Sequence, residues 1–591
     1  MSGLLEVLLL GLIPDLIVFI FFAAILSILR LFITKNISHN KLFRSLGYAL
    51  YFIFVFALTF DIAAEVLFWE EFSTRFNFIA VDYLVYTREV VGNIQESYPL
   101  YTILTVIALL SVVIFAATAK FVISAMQYYT SRIRRYIYAA LYTGLACGFF
   151  FLGQYINFDI TDRYENELAK NGIGSLFLAY TDNSLNYQHF YQTKNNDEVF
   201  TNIRKLVKAK NQTYVSDDIY NLARVVKPTG TTHKYNIMLL SVESLSADYM
   251  QNFGSEKKLT PNLDALISSS LVFDRYFAAG TRTVRGLEAM TLALPPTPGN
   301  AILRRPKNEN LFSIGSVLRD FDYDNKFLYG GYGYFDNMNY FFENNSFAVL
   351  DRTSIDKKDV VFENIWGVAD EVLFDKALQE ADKSYKSGRP FFSLIMTTSN
   401  HRPYTYPDNK VEIASGTGRE GAVQYTDYAI GKFLRDARTK KWFDNTIFII
   451  TADHCAASAG KQDLPISKYH IPLIIYAPEI IKPGIYTHYM SQIDLAPTIL
   501  GMLNLAYTSK FFGNDALLEP KERVFISTYQ KLGFFKNHLL TVLGPKKQAD
   551  MYEIDAKFDA RPAATNETTL DEAIYYYQGA NYSFDKGLMR E

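Results

Sequence analysis

The chain has 591 residues, of which 49% are hydrophobic and 15% are aromatic, a composition that excludes a disordered or low-complexity protein. Its 59 Lys and Arg residues are balanced by 61 Asp and Glu residues, giving a formal net charge of −2. No global positive field exists to hold a nucleic-acid backbone, so nucleic acid is not an expected partner. The two cysteines, Cys147 and Cys455, are interpreted as free thiols, which excludes a disulfide framework and a Cys/His zinc ribbon.

The long apolar runs lie almost entirely in the first 157 residues and predict a membrane anchor. A helix that crosses a bilayer needs about 20 mainly apolar residues. Four stretches of the anchor, residues 1–157, meet that requirement: 8–32, 47–68, 100–123 and 136–157. The first has no basic segment before it and no small-residue cleavage site, so it is interpreted as a retained helix rather than a signal peptide.

The loops between these stretches predict the orientation of the anchor. The second loop has only Arg75 and Arg88 against five acidic residues. The first and third loops are basic, carrying Arg30, Lys35, Lys41 and Arg44, and Lys120, Arg132, Arg134 and Arg135. Because basic loops stay on the cytoplasmic side, we expect a multi-pass membrane protein, which in a bacterium would lie in the cell (inner) membrane. Everything after residue 157 is then extracytoplasmic, on the periplasmic side.

Residues 158–235 are predicted to be an extracytoplasmic linker. The segment Asp162–Tyr180 mixes charged residues with Leu and Phe at helical spacing, which favours an amphipathic helix. Such a helix can lie on the membrane surface or pack on the soluble body, and the sequence leaves both open. Pro228 and Gly230 mark the end of the linker.

Residues 236–545 show the alternation of strands and helices that is typical of an α/β domain. Short apolar runs with β-rich composition alternate with helical segments such as Glu363–Lys383 and Ala422–Arg438. The predicted strands are Tyr235–Val242, Leu271–Phe277, Lys326–Gly330, Phe391–Thr397, Thr446–Thr451 and Pro472–Tyr476. This pattern predicts a mostly parallel central sheet covered by helices. Residues 546–591 are predicted to be a C-terminal extension that packs on the catalytic domain.

Four clusters of polar residues follow the ends of predicted strands, where ligands of parallel sheets gather. They contain Glu243, then Thr281 and Thr283, then His401, then Asp453 and His454. Carboxylates, an imidazole and a hydroxyl together suit one divalent cation, Mn²⁺, Mg²⁺ or Zn²⁺. Such a cation lowers the pKa of a hydroxyl enough to make it a nucleophile.

Each of these residues taken singly also has a purely structural interpretation. A carboxylate after a strand is often a helix cap, and a threonine near glycine is often a turn residue. The four clusters together, all at strand ends, instead favour a metal-dependent hydrolase or transferase.

At these residues the chain resembles the lipoteichoic acid synthase family of the alkaline phosphatase/sulfatase superfamily. The resemblance is carried by VES, GTRTVRGLEA, WGVAD, SNHRPY and ADH. It implies an N-terminal transmembrane helical bundle followed by a sulfatase-type α/β domain, and a threonine that forms a covalent phosphoglycerol intermediate. The implied catalytic residues are Thr283 and His401, and the implied metal ligands are Glu243, Thr283, Asp453 and His454.

The implied substrate contacts are His401 and Ser458. Two departures from the family pattern are visible: one concerns the head-group pocket, and the other is the anchor, which has four predicted spans where the family typically has five. Asn337 stands where the family has an arginine, so head-group recognition differs. His470 is a further candidate for substrate or metal, with a strand-entry histidine as the alternative. A C/S-x-P-x-R signature is missing around Thr283, which argues against sulfate-ester hydrolysis.

The sequence thus predicts a membrane-anchored phosphotransferase with one divalent cation, manganese first. The expected donor is a phospholipid such as phosphatidylglycerol, and the expected acceptor is an envelope glycan or glycolipid. Arg282 and Arg285 are candidates for balancing phosphoryl charge. The alternatives are a phosphoethanolamine transferase, a phosphodiesterase or sulfatase-type hydrolase, and a catalytically silent membrane protein that binds lipid or a partner.

Overall fold

The computed structural model describes residues 2–38, 40–72, 74–77, 79–81, 86–128, 130–152, 163–181, 186–456 and 464–591. These residues form two compact units that divide near residue 184. The first unit is helical and the second contains all the sheets.

Four of the eight described helices of the first unit are long, with 21 or more residues. The eight are α1 (Ser2–Leu31), α2 (Lys35–Ser38), α3 (Lys41–Phe72), α4 (Thr87–Ser97), α5 (Leu100–Gln127), α6 (Arg132–Leu152), α7 (Arg163–Ala169) and α8 (Gly172–Thr181). Helix α1 packs along α6, and α3 packs along α5.

Three of the described helices are long and apolar enough to cross a membrane, at Val7–Leu31, Lys41–Phe72 and Leu100–Ala125. They coincide with the first three predicted stretches. The fourth, 136–157, coincides with α6 as far as residue 152, and its last residues lie outside the described part of the chain.

The predicted linker is divided between the two units. Helices α7 and α8 occupy the stretch predicted as one amphipathic helix, and Phe177, Leu178 and Tyr180 of α8 are exposed. The second unit begins with α9 (Tyr187–Phe190) and α10 (Asn196–Val207). Strands β1 (Gln212–Tyr214) and β2 (Arg224–Val226) follow, and form a small antiparallel sheet with β15 (Tyr507–Ser509).

The central sheet has eight strands in the order β13–β4–β12–β11–β3–β10–β6–β7. Their bounds are β3 (Asn236–Val242), β4 (Leu271–Phe273), β6 (Asp324–Tyr329), β7 (Ala348–Leu350), β10 (Phe391–Met396), β11 (Thr446–Ala452), β12 (Leu473–Tyr476) and β13 (Gly484–Tyr486). The five strands from β11 to β7 are mutually parallel, and only β12 runs antiparallel to its neighbours. Every residue of β3 and β11 is buried, which is why both are continuous apolar runs.

The remaining elements surround this sheet. Two two-stranded pairs are β5 (Tyr276–Phe277) with β14 (Met490–Ser491), and β8 (Glu363–Asn364) with β9 (Gly367–Val368). The helices are α11 (Pro261–Leu266), α12 (Thr283–Leu292), α13 (Ile314–Asp320), α14 (Met338–Glu343), α15 (Asp370–Lys386), α16 (Arg419–Ala437) and α17 (Leu495–Met502). Helix α15 contacts β10 and β6 and packs on α16.

A second, antiparallel sheet lies toward the C-terminus. Its strands are β16 (Arg523–Ser527), β17 (Leu532–Lys536), β18 (Leu539–Gly544), β19 (Gln548–Ile554) and β20 (Ala560–Pro562), in chain order. Helix α18 (Glu567–Asp585) packs on β17, β18 and α10. Residues 546–591 thus supply β19, β20 and α18.

Two predicted elements differ from the structure. Helix α15 begins at Asp370, seven residues later than predicted, because residues 363–368 form the β8–β9 pair. Asp370 and Glu371 then occupy the first turn, where negative charge stabilises a helix. The predicted strand Leu271–Phe277 is divided into β4, which joins the central sheet, and β5, which pairs with β14.

Candidate active site

Glu243 and Asp453 leave the central sheet side by side. They follow the paired residues Val242 and Ala452 at the ends of the parallel strands β3 and β11. Both carboxylates are buried. Backbone N–H groups of Ser244 and His454 each donate to Asp453 Oδ1 over 2.8 Å. The sheet register therefore brings together two acids that are 210 positions apart in the chain.

The second oxygen of Asp453 has no such partner. Asp453 Oδ2 is buried and accepts no hydrogen bond from the described residues. Burial and the charge of Asp453 together raise the pKa of Glu243. Two neighbouring buried carboxylates, one with an unsatisfied oxygen, are the electrostatic setting that a cation stabilises.

The imidazole of His454 completes this group. Its Nδ1 lies 2.7 Å from the Cys455 carbonyl oxygen, and since a carbonyl only accepts, Nδ1 carries the proton. Its Nε2, the lone-pair atom when the ring is neutral, lies 3.4 Å from Asp453 Oδ2 and 3.8 Å from Glu243 Oε1. One ligand atom from each of the three residues lies within 4.8 Å of the others. Three lone pairs converging on one point fit a divalent cation.

Thr283 reaches the same group from helix α12, whose first residue it is. Its Oγ1 donates to Glu243 Oε2 over 3.2 Å. One turn further on, a Cβ on Gly286 would lie 2.2 Å from the Asp453 carbonyl oxygen, so only glycine lets the helix come this close. The start of a helix also leaves backbone N–H groups for an anion. A hydroxyl, a group of candidate cation ligands and the N-terminus of a helix are thus in one place.

His401 lies in the turn after β10, stacked on an aromatic ring. Its ring centroid is 3.8 Å from that of Trp366, whose indole N–H donates to the Arg402 carbonyl over 2.6 Å. Burial lowers the pKa of His401 to about 4, against the opposing influence of the nearby Glu243 charge. The imidazole is therefore neutral at pH 7 and can donate one N–H to a phosphoryl oxygen.

The remaining candidate substrate contacts in the described part of the chain are not part of the group formed by Glu243, Thr283, Asp453 and His454. The Arg285 guanidinium donates to Glu288 Oε1 over 2.6 Å and to the Gly299 carbonyl, so it is held in a buried ion pair. Arg282 occupies the N-cap position of α12, directly before Thr283. Ser458 lies outside the described residues.

Asn337 and His470 both make backbone contacts of their own. Asn337 has a left-handed backbone and donates from Nδ2 to the Leu303 carbonyl over 2.7 Å. His470 Nε2 lies 2.9 Å from the Asp274 carbonyl, and its ring contacts Phe277. This surrounding matches the strand-entry interpretation of His470.

Several supporting residues were not singled out from the sequence. The Glu243 N–H donates to Thr397 Oγ1 over 2.9 Å, and Asn400 Nδ2 donates to the Glu243 carbonyl over 2.9 Å. Asp370 accepts from the backbone N–H groups of residues 398 and 399. All of them lie within or beside the quoted WGVAD and SNHRPY segments, which was the available signal.

Comparisons with known proteins agree with this fold. Residues 235–505 match the sulfatase family model. The chain is 25% identical over 303 residues to phosphoglycerol transferase I of Xanthomonas campestris, covering 48% of this chain and 43% of the relative. It is 21% identical over 379 residues to the lipoteichoic acid synthase-like protein YvgJ of Bacillus subtilis, covering 57% and 59%. The chain therefore spans about half the length of these two relatives.

Two solved structures share the architecture. A protein in the alkaline phosphatase superfamily from Vibrio parahaemolyticus has a TM-score of 0.65 and 31% identity, with 69% of this chain and all of that chain covered. The lipoteichoic acid synthase LtaP of Listeria monocytogenes has a TM-score of 0.53 at 18% identity, covering 66% and 98%, and supports the fold alone.

The sulfatase-type sheet and these matches define the class of protein. The chain belongs to the alkaline phosphatase superfamily. The resemblance read from the sequence is confirmed. The predicted fold class, apolar N-terminal helices followed by a mostly parallel α/β domain, is confirmed as well.

Proposed function

We propose that this chain is a membrane-anchored, metal-dependent phosphotransferase that moves phosphoglycerol from a phosphatidylglycerol-like lipid to an envelope glycan or glycolipid. The observation that carries the proposal is the hydrogen bond between the Thr283 hydroxyl and Glu243 beside the Asp453–His454 pair. The names of the curated relatives supply the transferred group.

The donor set of the site fits a divalent cation, with manganese proposed first. Glu243, Asp453, His454 and Thr283 would hold it, through carboxylate, imidazole and hydroxyl donors. When bound, such an ion lowers the pKa of a neighbouring hydroxyl and offsets negative charge on a phosphoryl group.

The residues of the chain then have separate tasks in the proposed reaction. Glu243 orients the Thr283 hydroxyl, which loses its proton to solvent and attacks phosphorus. The bond from phosphorus to the diacylglycerol oxygen breaks, diacylglycerol leaves with a solvent proton, and phosphoglycerol remains as an ester on Thr283. An acceptor hydroxyl displaces Thr283 in a second attack of the same kind. The neutral His401 donates an N–H to a phosphoryl oxygen and so holds the group in line.

Replacement of Thr283 tests the proposal directly. The full-length protein in phosphatidylglycerol vesicles should release diacylglycerol and yield a phosphoglycerol adduct on the peptide that contains Thr283. Thr283→Ala should lower the rate about a thousandfold or more, as loss of a nucleophile does. Thr281→Ala, two residues away in the same segment, is the matched control and should stay within about threefold of the wild type.

The outcomes separate the alternatives. Normal diacylglycerol release by Thr283→Ala would overturn the mechanism. Phosphoethanolamine on the peptide would establish the ethanolamine-transferring alternative, and free glycerol phosphate without an adduct would favour a phosphodiesterase. No release with any phospholipid or divalent metal would favour the catalytically silent protein.

A further inference from the structure

Two arginine side chains lie over one aromatic ring next to His401. The guanidinium carbon of Arg419 is 4.9 Å from the centroid of the Tyr404 ring, and that of Arg402 is 5.8 Å from it. Both arginines are partly buried. The face of an aromatic ring attracts a cation and so positions it. We call Arg402 and Arg419 the arginine pair.

The arginine pair is tied to the candidate active site by short hydrogen bonds. The Tyr404 N–H donates to the His401 carbonyl over 2.8 Å, which closes the turn. Arg419 Nη1 donates to the Asn400 carbonyl over 3.2 Å, and Asn400 Nδ2 donates in turn to the Glu243 carbonyl. A single residue, Asn400, therefore separates Arg419 from the backbone of Glu243.

Tyr404 itself has an uncommon backbone. Its φ of 60° places this bulky residue in the left-handed region, which such residues rarely adopt and which clusters at ligand sites. Its carbonyl accepts from the Gly416 N–H over 3.0 Å, so the segment before α16 holds the ring in position. The ring that carries both arginines is thus fixed from two sides.

The positive charge of Arg419 has no carboxylate partner among the described residues. The adjacent acid, Glu420, forms its ion pair with Lys257 instead. Burial is the main reason for the low pKa of His401, and the charge of Arg419 lowers it further. A partly buried guanidinium beside the candidate active site, with no carboxylate partner in the described part of the chain, suits an anionic ligand.

We propose that Arg402 and Arg419 form an anion-binding subsite that receives a phosphate group of a substrate. The assignment of that phosphate to a substrate rests on the proposed function. Guanidinium groups bind phosphate oxygens bidentately, and the Tyr404 ring positions both guanidinium groups. The phosphate has two possible sources with the same chemistry: the phosphodiester of the lipid donor, and a phosphate that the acceptor already carries.

Binding of a small phosphate monoester tests the subsite without any turnover. The full-length protein in detergent, with EDTA present so that no divalent ion contributes, is titrated with sn-glycerol 1-phosphate by calorimetry. Arg419→Gln should weaken binding about tenfold, the loss of one charge-assisted contact. The affinity of Arg419→Lys should lie between those of the wild type and Arg419→Gln. Arg402→Gln should weaken binding to a similar extent, which tests the second arginine in a separate variant. Arg435→Gln, an exposed arginine on the same helix, is the matched control.

This measurement can fail independently of the proposed function. Absence of binding by the wild type, Arg419→Gln within twofold of the wild type, or an equal loss in Arg435→Gln would each overturn the subsite. An inactive transferase that still shows the Arg419-dependent binding would leave the subsite intact and remove only the proposed function.

Two kinetic arms then identify the source of the phosphate. A rise in the donor KM of Arg419→Gln, measured as diacylglycerol release without added acceptor, assigns the subsite to the lipid phosphodiester. A rise confined to a phosphoglycerol-bearing acceptor, with a bare glycan acceptor unaffected, assigns it to the acceptor. Unchanged KM values in both arms would contradict a substrate subsite.

Discussion

The two oxygens of Asp453 have different surroundings, and the difference is the main argument for a cation in the proposed site. Oδ1 accepts two backbone N–H groups, whereas Oδ2 is buried without a hydrogen-bond donor among the described residues. An unsatisfied buried oxygen costs about 1–3 kcal/mol, and more when it is charged. When the ring of His454 is neutral, its Nε2 adds a further lone pair at 3.4 Å. The Asp453 oxygen and the His454 lone pair repel each other, and a cation bound between them would attract both.

Metal removal and return should therefore change the stability of the protein. After EDTA treatment, adding Mn²⁺ at about a hundred times its Kd should stabilise the folded form by about 2.7 kcal/mol. We expect the melting temperature to rise by a few degrees in thermal unfolding of the full-length protein. Asp453→Asn should lose this gain, because an amide supplies a neutral and weaker ligand.

His470→Gln is the control for that experiment. His470 was a second candidate ligand, but its Nε2 faces the Asp274 carbonyl, so its replacement should leave the manganese-dependent gain intact. An equal gain in Asp453→Asn, or none in the wild type with Mn²⁺, Mg²⁺ or Zn²⁺, would contradict the cation site.

At the scale of elements, three neighbouring parallel strands bring the site together. Strand β3 lies between β11 and β10, and the pairs Val242–Ala452 and Ser241–Met396 set their ends level. This convergence was predictable, because continuous apolar runs identify buried parallel strands and their carboxyl ends share one edge. The candidate metal ligands directly after two of these runs followed from the same reasoning.

What the sequence could not supply is the set of contacts between segments far apart in the chain. Gly286 against Asp453 and Asn400 against Glu243 depend on tertiary packing, which no local pattern encodes. The antiparallel sheet β16–β20 was also missed. Its runs, such as Leu539–Gly544, are short and apolar, and periodicity alone does not separate such runs from buried helix.

Asp370 is the clearest example of a supporting residue revealed only by the structure. It is fully buried at the start of α15. Its Oδ1 accepts from the Thr398 and Ser399 N–H groups over 3.1 and 3.0 Å, and its Oδ2 accepts from Thr426 Oγ1 over 2.7 Å. These bonds fix the loop that continues into Asn400 and His401. We interpret Asp370 as a positioning residue.

Asp370→Asn should lower kcat about tenfold, because a neutral amide oxygen accepts the Thr398 and Ser399 N–H groups more weakly than a carboxylate and so loosens this loop by roughly 1–3 kcal/mol. The lipid KM and the manganese-dependent gain in melting temperature should change little. Rates are normalised to folded protein, so that a loss of stability alone does not count.

Asp427→Asn is the matched control for Asp370. Asp427 is equally buried and accepts from the N–H groups of Asn262 and Leu263, but it secures α11 rather than the His401 loop. Equal losses of kcat in both variants would reduce Asp370 to a general contributor to stability.

At the scale of the whole molecule, a membrane anchor suits an enzyme whose proposed donor is a lipid. A phospholipid cannot diffuse far from its bilayer, so an enzyme that uses one gains from being held at the same surface. Three described helices are long and apolar enough to cross a membrane, and they precede the α/β unit in the chain. The proposal further requires the α/β unit to be outside the cytoplasm, where envelope acceptors are found.

Cysteine labelling in spheroplasts tests that orientation. The background variant carries Cys147→Ala and Cys455→Ala, which removes both native thiols. Val361→Cys, at a side chain that is 71% exposed in the α/β unit, should react with a membrane-impermeant maleimide in intact spheroplasts. Ser131→Cys, in the basic loop before α6, should react only after detergent lysis, since basic loops remain cytoplasmic. Labelling after lysis controls for reactivity at both positions. The reverse pattern would place the catalytic unit inside the cell and rule out transfer to an envelope acceptor, while leaving the cation site untouched.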